Sequence, residues 1–354
     1  MRLPSTPAAR RTALVALVVL PLAGVIPVHA CDALWVGNKA ADTVWRLDLR
    51  DGRRLRSVPS DPGPHEIAVA PDGRAALVTS YGRAQPGHTL AVLDLGKGER
   101  AAGIDLGEHR RPHGVAYLPD GRRAVVTTED SGSLLVVDVQ ARRIERVIDI
   151  GGGTGHMVAL SRDGRIAYVT KIAAGTISRI DLHAGTKTAE RPAGAGAEGV
   201  AVAPDGAVWV GNRADDTVTV HDPDTLAVRR TLASTGFPIR VVFTHDGRHA
   251  LVTNARSATL SVFDAASAEL VSTVDLAPVG VRYDDTLLGR DPLPIGVIAD
   301  PGRPRAYVAI SGADRIAVVD TEGWKVVGHW QTGREPDALG IERCPGAEPG
   351  AKGR

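Results

Sequence analysis

Residues 197–222 read AEGVAVAPDGAVWVGNRADDTVTVHD. A short apolar strand ends at the turn Pro204-Asp205-Gly206, a second runs through Val208-Trp209-Val210-Gly211-Asn212, and a third alternates from Val218 to Asp222. Asp-Gly between two β-rich runs marks a hairpin, because glycine accepts the positive φ that the turn needs. The apolar residues alternate with period 2 in runs too short for helices, so three antiparallel strands are expected from this stretch alone.

The unit repeats along the chain. The third-strand motif ending in Asp recurs at Val44–Asp48, Leu90–Asp94, Leu134–Asp138, Ile177–Asp181, Val218–Asp222, Leu260–Asp264 and Ile316–Asp320. The second strand recurs ahead of each copy, as in Leu34–Asn38, Ala76–Ser80, Ala124–Thr128, Ala167–Lys171, Ala250–Asn254 and Ala306–Ile310. Turns Pro71-Asp72-Gly73, Pro119-Asp120-Gly121, Arg162-Asp163-Gly164 and His245-Asp246-Gly247 match the first. Four strands, A to D, per period of roughly 40–45 residues make a propeller blade. The chain therefore reads as all-β, a single seven-bladed β-propeller spanning 31–344. The first copy lacks strand A, while Pro336–Ile341 looks like an unaccompanied strand A, so the C-terminal strand should complete the first blade and remove two exposed edges.

Alignment on the other copies places both Cys31 and Cys344 at the missing A-to-B turn, where a disulfide would lock the ring. The competing reading makes Cys31 the lipidated first residue of a lipoprotein. Residues 1–30 carry Arg2, Arg10 and Arg11, then an apolar run from Ala13 to Val28 and Val28-His29-Ala30, the pattern of a secretory signal peptide. A periplasmic or secreted protein is expected, an oxidising setting for the cysteine pair. The tail 345–354 should be disordered.

The 354 residues are 43% hydrophobic but 4% aromatic, and 42 basic side chains nearly cancel 41 acidic ones. Loss of the leader removes three arginines and no acid, so nucleic acid is a poor partner for the remainder. A small molecule or a periplasmic protein fits better, with the chain a monomer and no transmembrane segment after leader removal.

The second strands Ala167-Tyr168-Val169-Thr170-Lys171 and Leu251-Val252-Thr253-Asn254, with the Pro-Asp-Gly turns, resemble the bacterial YVTN-type (YncE-like) β-propeller repeat family. That resemblance implies an exported propeller and carries little about chemistry. Gly63-Pro64-His65-Glu66-Ile67 and Arg111-Pro112-His113-Gly114-Val115 are also similar to repeats of propeller lactonases of the phosphogluconolactonase type, although no catalytic set transfers.

In a propeller the residues opening strand A surround one mouth of the central channel. Seven positions before the turn Asp, or its equivalent, the ring order is Asp337, His65, His113, His156, Glu198, Ile239 and Ile295. His65, His113 and His156 on adjacent blades are candidate ligands for a divalent ion such as zinc or copper. The alternative is that these histidines are repeat-encoded strand openers. Arg240 is a candidate anion contact. The interval from Asp264 to Asp320 is the longest, because of segment 275–293, whose Arg282 and Tyr283 are candidates for a charged wall over the mouth. The strand-end aspartates read as turn makers. The function expected is a non-catalytic exported propeller binding a small ligand, metal ion or partner protein at the channel mouth. The alternative is an enzyme, a lactonase-like hydrolase or a metal-assisted lyase or oxidoreductase, using the same histidines.

Overall fold

The computed structural model describes residues 32–343. The leader 1–30, Cys31, Cys344 and the tail 345–354 lie outside the described residues, and the expected disulfide with them. Seven four-stranded antiparallel sheets follow one another around the ring, each ordered A-B-C-D from the channel outward. No helix among the described residues is long and apolar enough to cross a membrane.

Each turn residue does the work its chemistry allows. Gly73, Gly121, Gly164, Gly206 and Gly247 all take positive φ in the A-to-B turns. The aspartate before each accepts a backbone N–H from two residues on, as Asp72 does from Arg74 and Asp205 from Ala207. The strand-C aspartates accept from the N–H three residues on in the C-to-D turns: Asp94 from Lys97, Asp138 from Ala141, Asp181 from Ala184 and Asp264 from Ser267. They are turn makers.

Blade 1 draws its strand A from Pro336–Glu342, in register with Ala33–Asn38 so that Ala33 faces Glu342 and Leu34 faces Ile341. Glu342 fastens the closure: it accepts from Trp35 Nε1 at 2.9 Å and from Arg46 Nε at 2.8 Å. One residue further out, Arg343 Nη1 lies 3.2 Å from Asp32 Oδ2.

The core sits between blades. Leu34, Val36 and Leu47 of blade 1 pack against Tyr307, Ala309 and Ile316 of blade 7, and Trp209 and Val218 of blade 5 pack against Val241, Ala250 and Phe263 of blade 6. At the axis the strands come closer still. A Cβ on Gly296 would sit 1.9 Å from Asp337 O, and one on Gly114 would sit 2.8 Å from His156 O. Glycine there lets neighbouring inner strands touch backbone to backbone, and that narrowness sets the scale of the channel mouth.

Candidate functional site

Two sequence-equivalent positions line a cavity of about 310 Å³ at the mouth, and a third shapes the approach to it. The residues opening the A strands supply Asp337, His65, His113, His156, Glu198, Ile239 and Ile295, as their common register requires. The ends of the B strands supply Lys39, Glu129, Ile172, Arg213 and Ser311, each immediately after its strand, and Tyr81, at the equivalent position of blade 2 where the strand runs on to Gly82. Two places before the A-strand register, Gly63, Arg111, Thr154, Gly196, Phe237, Leu293 and Glu335 all adopt positive φ, a left-handed corner that turns each linker into its inner strand.

The histidines converge. The His65 and His113 ring centroids are 4.1 Å apart at 88°, and those of His113 and His156 are 3.5 Å apart at 40°. His156 is held from both sides: Nδ1 contacts Glu129 Oε1 at 2.6 Å, and Nε2 contacts Glu198 Oε1 at 3.1 Å. Burial works against its protonation, but Glu198 and Glu129 outweigh burial and raise its pKa. Tyr81 donates to Glu129 Oε2 at 2.6 Å, which orients that carboxylate.

His113 differs from its neighbours. It is fully buried, and neither ring nitrogen has a hydrogen-bond partner among the described residues. Burial, and then the positive surroundings of His156, His65, Arg240 and Lys39, push its pKa well below the ordinary imidazole value, so it is neutral with a lone pair available. His65 is also held low, by burial and then by Lys39. Its Nδ1 lies 2.8 Å from Asp337 Oδ2.

Ionic groups close the floor. Arg240 reaches across the channel from blade 6 to Glu66 of blade 2, Nη2 to Oε1 at 2.5 Å, and its Nη1 lies 3.3 Å from Glu198 Oε1. Its charge is therefore spent within the protein. Glu198 is further held by Arg213 Nη1 at 2.5 Å. Burial opposes ionisation of Glu198, yet His156, Arg213 and Arg240 prevail and bring its pKa to about 2. Burial likewise opposes ionisation of Asp337, and His65 and Lys39 overcome it.

One donor atom from each of His113, His156 and Glu129 forms a group within 4.8 Å of one another. This is the strongest metal-ligand geometry among the described residues, and it replaces His65 of the sequence-derived trio with Glu129. Segment 276–293 does overhang the mouth, but with apolar rather than charged groups. Thr286, Leu287, Leu288 and Leu293 line the cavity, whereas Arg282 is exposed and Tyr283 packs on the blade 6–blade 7 core. The cause is local: Asp284 N donates to Gly312 O, and Thr286 bridges Gly289, so the tight turn between them carries Leu288 inward onto Ile239 and Ile295 while Leu287 stays exposed at the rim.

A family model described as "Cytochrome D1 heme domain" matches residues 120–240, about a third of the chain. No curated protein matches. Among solved structures, a functionally unknown protein from Desulfotomaculum acetoxidans DSM 771 is similar at 17% identity with a TM-score of 0.73, over 88% of this chain and 98% of that one. At that identity the likeness shows the fold. The matched third raises the question of haem, whose iron takes an axial imidazole and whose macrocycle needs an open face above it. His113, the imidazole with free nitrogens, lies outside the matched residues and is wedged between two other rings. The walls around it are ionic, and the cavity is at the small end for any organic ligand. The mouth as arranged does not fit a haem.

Proposed function

We propose that this chain is an exported, monomeric YVTN-type propeller whose channel mouth binds a divalent transition-metal ion such as zinc or copper through His113, His156 and Glu129. The observation that carries this reading is His113, a fully buried neutral imidazole with two unpartnered nitrogens beside a carboxylate and a second imidazole. An orphaned buried nitrogen costs about 1–3 kcal/mol unless something else compensates it.

Tetrahedral zinc with bonds of about 2.0–2.1 Å places its donors roughly 3.3 Å apart, so the side chains close in by about 1 Å or somewhat more on binding. Two imidazoles and one carboxylate leave a fourth position facing the cavity, where a small ligand can complete the coordination. Tyr81 and Glu198 would act from behind as the partners that orient Glu129 and His156.

Metal analysis of protein purified from zinc-supplemented cells, together with the visible absorption of its cobalt-substituted form, tests this. A stoichiometric ion and tetrahedral cobalt bands are expected in the wild type, and both should disappear in His113→Ala and Glu129→Gln variants that keep their β-type circular dichroism. Absence of a stoichiometric ion from the wild type, or full occupancy in both variants, would overturn the reading.

A further inference from the structure

Beside the cavity, between blades 5 and 6, lies an open groove bounded by Ile172, Arg213, Asp216, Phe237, Arg256 and Leu288. It shares Ile172, Arg213 and Leu288 with the cavity wall, so the two spaces adjoin. Phe237 stands at the left-handed corner with φ 72°, where the other blades carry Gly, Arg, Thr, Leu or Glu. Its amide is fixed by Asp216 Oδ1 at 2.8 Å, and the same oxygen accepts from Gly236 N at 3.1 Å.

Two guanidinium groups rest on that one ring, Arg256 with its central carbon 4.4 Å from the ring centroid and Arg213 at 5.0 Å. Stacking on an aromatic face leaves the in-plane N–H groups of an arginine pointing outward, the geometry that takes a carboxylate in bidentate fashion. Arg213 commits Nη1 to Glu198. Arg256 has no acidic partner within ion-pair distance among the described residues, and Asp216, the acid in the same groove, is turned to the backbone. An unmatched guanidinium, a second one beside it, and apolar walls from Phe237, Ile172 and Leu288 therefore lie together.

We propose that this groove is a binding subsite for a small organic carboxylate with an apolar body. The acid group is held by Arg256 and the free edge of Arg213, and the body lies along Phe237 and Leu288 towards the cavity. A monoanion fits better than a phosphate dianion, because Glu198 and Glu129 of the adjoining cavity repel added negative charge. The subsite stands on the groove residues alone and does not require the metal.

Phenylacetate and its neutral counterpart phenylacetamide are the probes, titrated calorimetrically and by ligand-observed NMR into the full chain after EDTA treatment. The wild type should prefer the acid by roughly tenfold, the worth of one charge-assisted contact. Arg256→Gln, a change at an exposed side chain, should abolish the preference, and Arg256→Lys should keep part of it, having the charge without the fork. Phe237→Ala should weaken acid and amide alike. Equal affinity for the two probes in the wild type, an undiminished preference in Arg256→Gln, or no binding of either probe would overturn the subsite. Because the titration is made without metal, failure of the metal site leaves its outcome unaffected, and the converse also holds.

Discussion

Replacing Arg240 by leucine removes the one cation within ion-pair distance of Glu66 among the described residues. The Arg240 side chain is 7% exposed and that of Glu66 is 15%, so solvent screens the pair little. Glu198 loses a contact as well but retains His156 and Arg213. Breaking a buried pair by removing one partner costs about 3–5 kcal/mol, most of it from the carboxylate left behind. At about 2 °C per kcal/mol for a chain of this size, the melting temperature should fall by roughly 6–10 °C. Differential scanning calorimetry and urea unfolding followed by tryptophan emission would measure the loss. The double variant Glu66→Leu with Arg240→Leu removes both charges and should recover more than half of it. A single variant within about 1 kcal/mol of wild type, the worth of a surface pair, or a double variant as unstable as the single one, would refute the cross-channel strut.

Further outcomes follow from particular contacts. Gly114→Ala should lower stability by about 1–3 kcal/mol and weaken metal binding, since the added methyl would lie 2.8 Å from His156 O and separate the two inner strands that carry His113 and His156; metal affinity equal to wild type would count against close approach as the cause. Cys31 directly precedes Asp32 and Cys344 directly follows Arg343, and Asp32 and Arg343 form an ion pair across the closure. Mass spectrometry under non-reducing conditions should show the two cysteines joined, and reduction should cost up to about 5 kcal/mol in the chain-entropy account; a free Cys344 thiol would disprove the link. Burial opposes ionisation of Glu190, but hydrogen bonds from Lys187 and Lys171 bring its pKa from 4.5 to about 2. Its folded pKa is thus depressed, so its contribution is present above about pH 4.5 and is lost as pH falls towards 2. The stability gap between wild type and Glu190→Gln should narrow over that window, and a gap independent of pH would be the contrary result.

Much of the fold was legible because a propeller is written in local signals. Asp-Gly turns, period-2 alternation and a recurring strand-end aspartate each act within a few residues, and their repetition counts the blades. The common register of Asp337, His65, His113, His156 and Glu198 was legible for the same reason. Glu129, Tyr81, Lys39 and Arg213 were missed although they too hold one repeat position, at the end of strand B. In sequence they look like the opening of an ordinary loop, and only the ring shows that this loop faces the axis. The charged wall expected from Arg282 and Tyr283 failed because a loop's direction depends on what anchors it, here the contact of Asp284 with Gly312.

The sequence by itself determined the seven blades, the C-terminal strand that closes the first, and the ring of side chains at the mouth, since periodicity alone assigns a residue to a strand and a depth. Tertiary structure decided the pairings across the channel: Glu66 with Arg240, 174 positions apart, and His156 between Glu129 and Glu198. Those contacts depend on the width of the channel, which is set by how closely glycine-bearing inner strands approach one another. A distance through space between blades has no counterpart in the repeat period, so His113 reads in the sequence as one strand opener among several. In the folded ring it is the buried imidazole whose two nitrogens are left without partners.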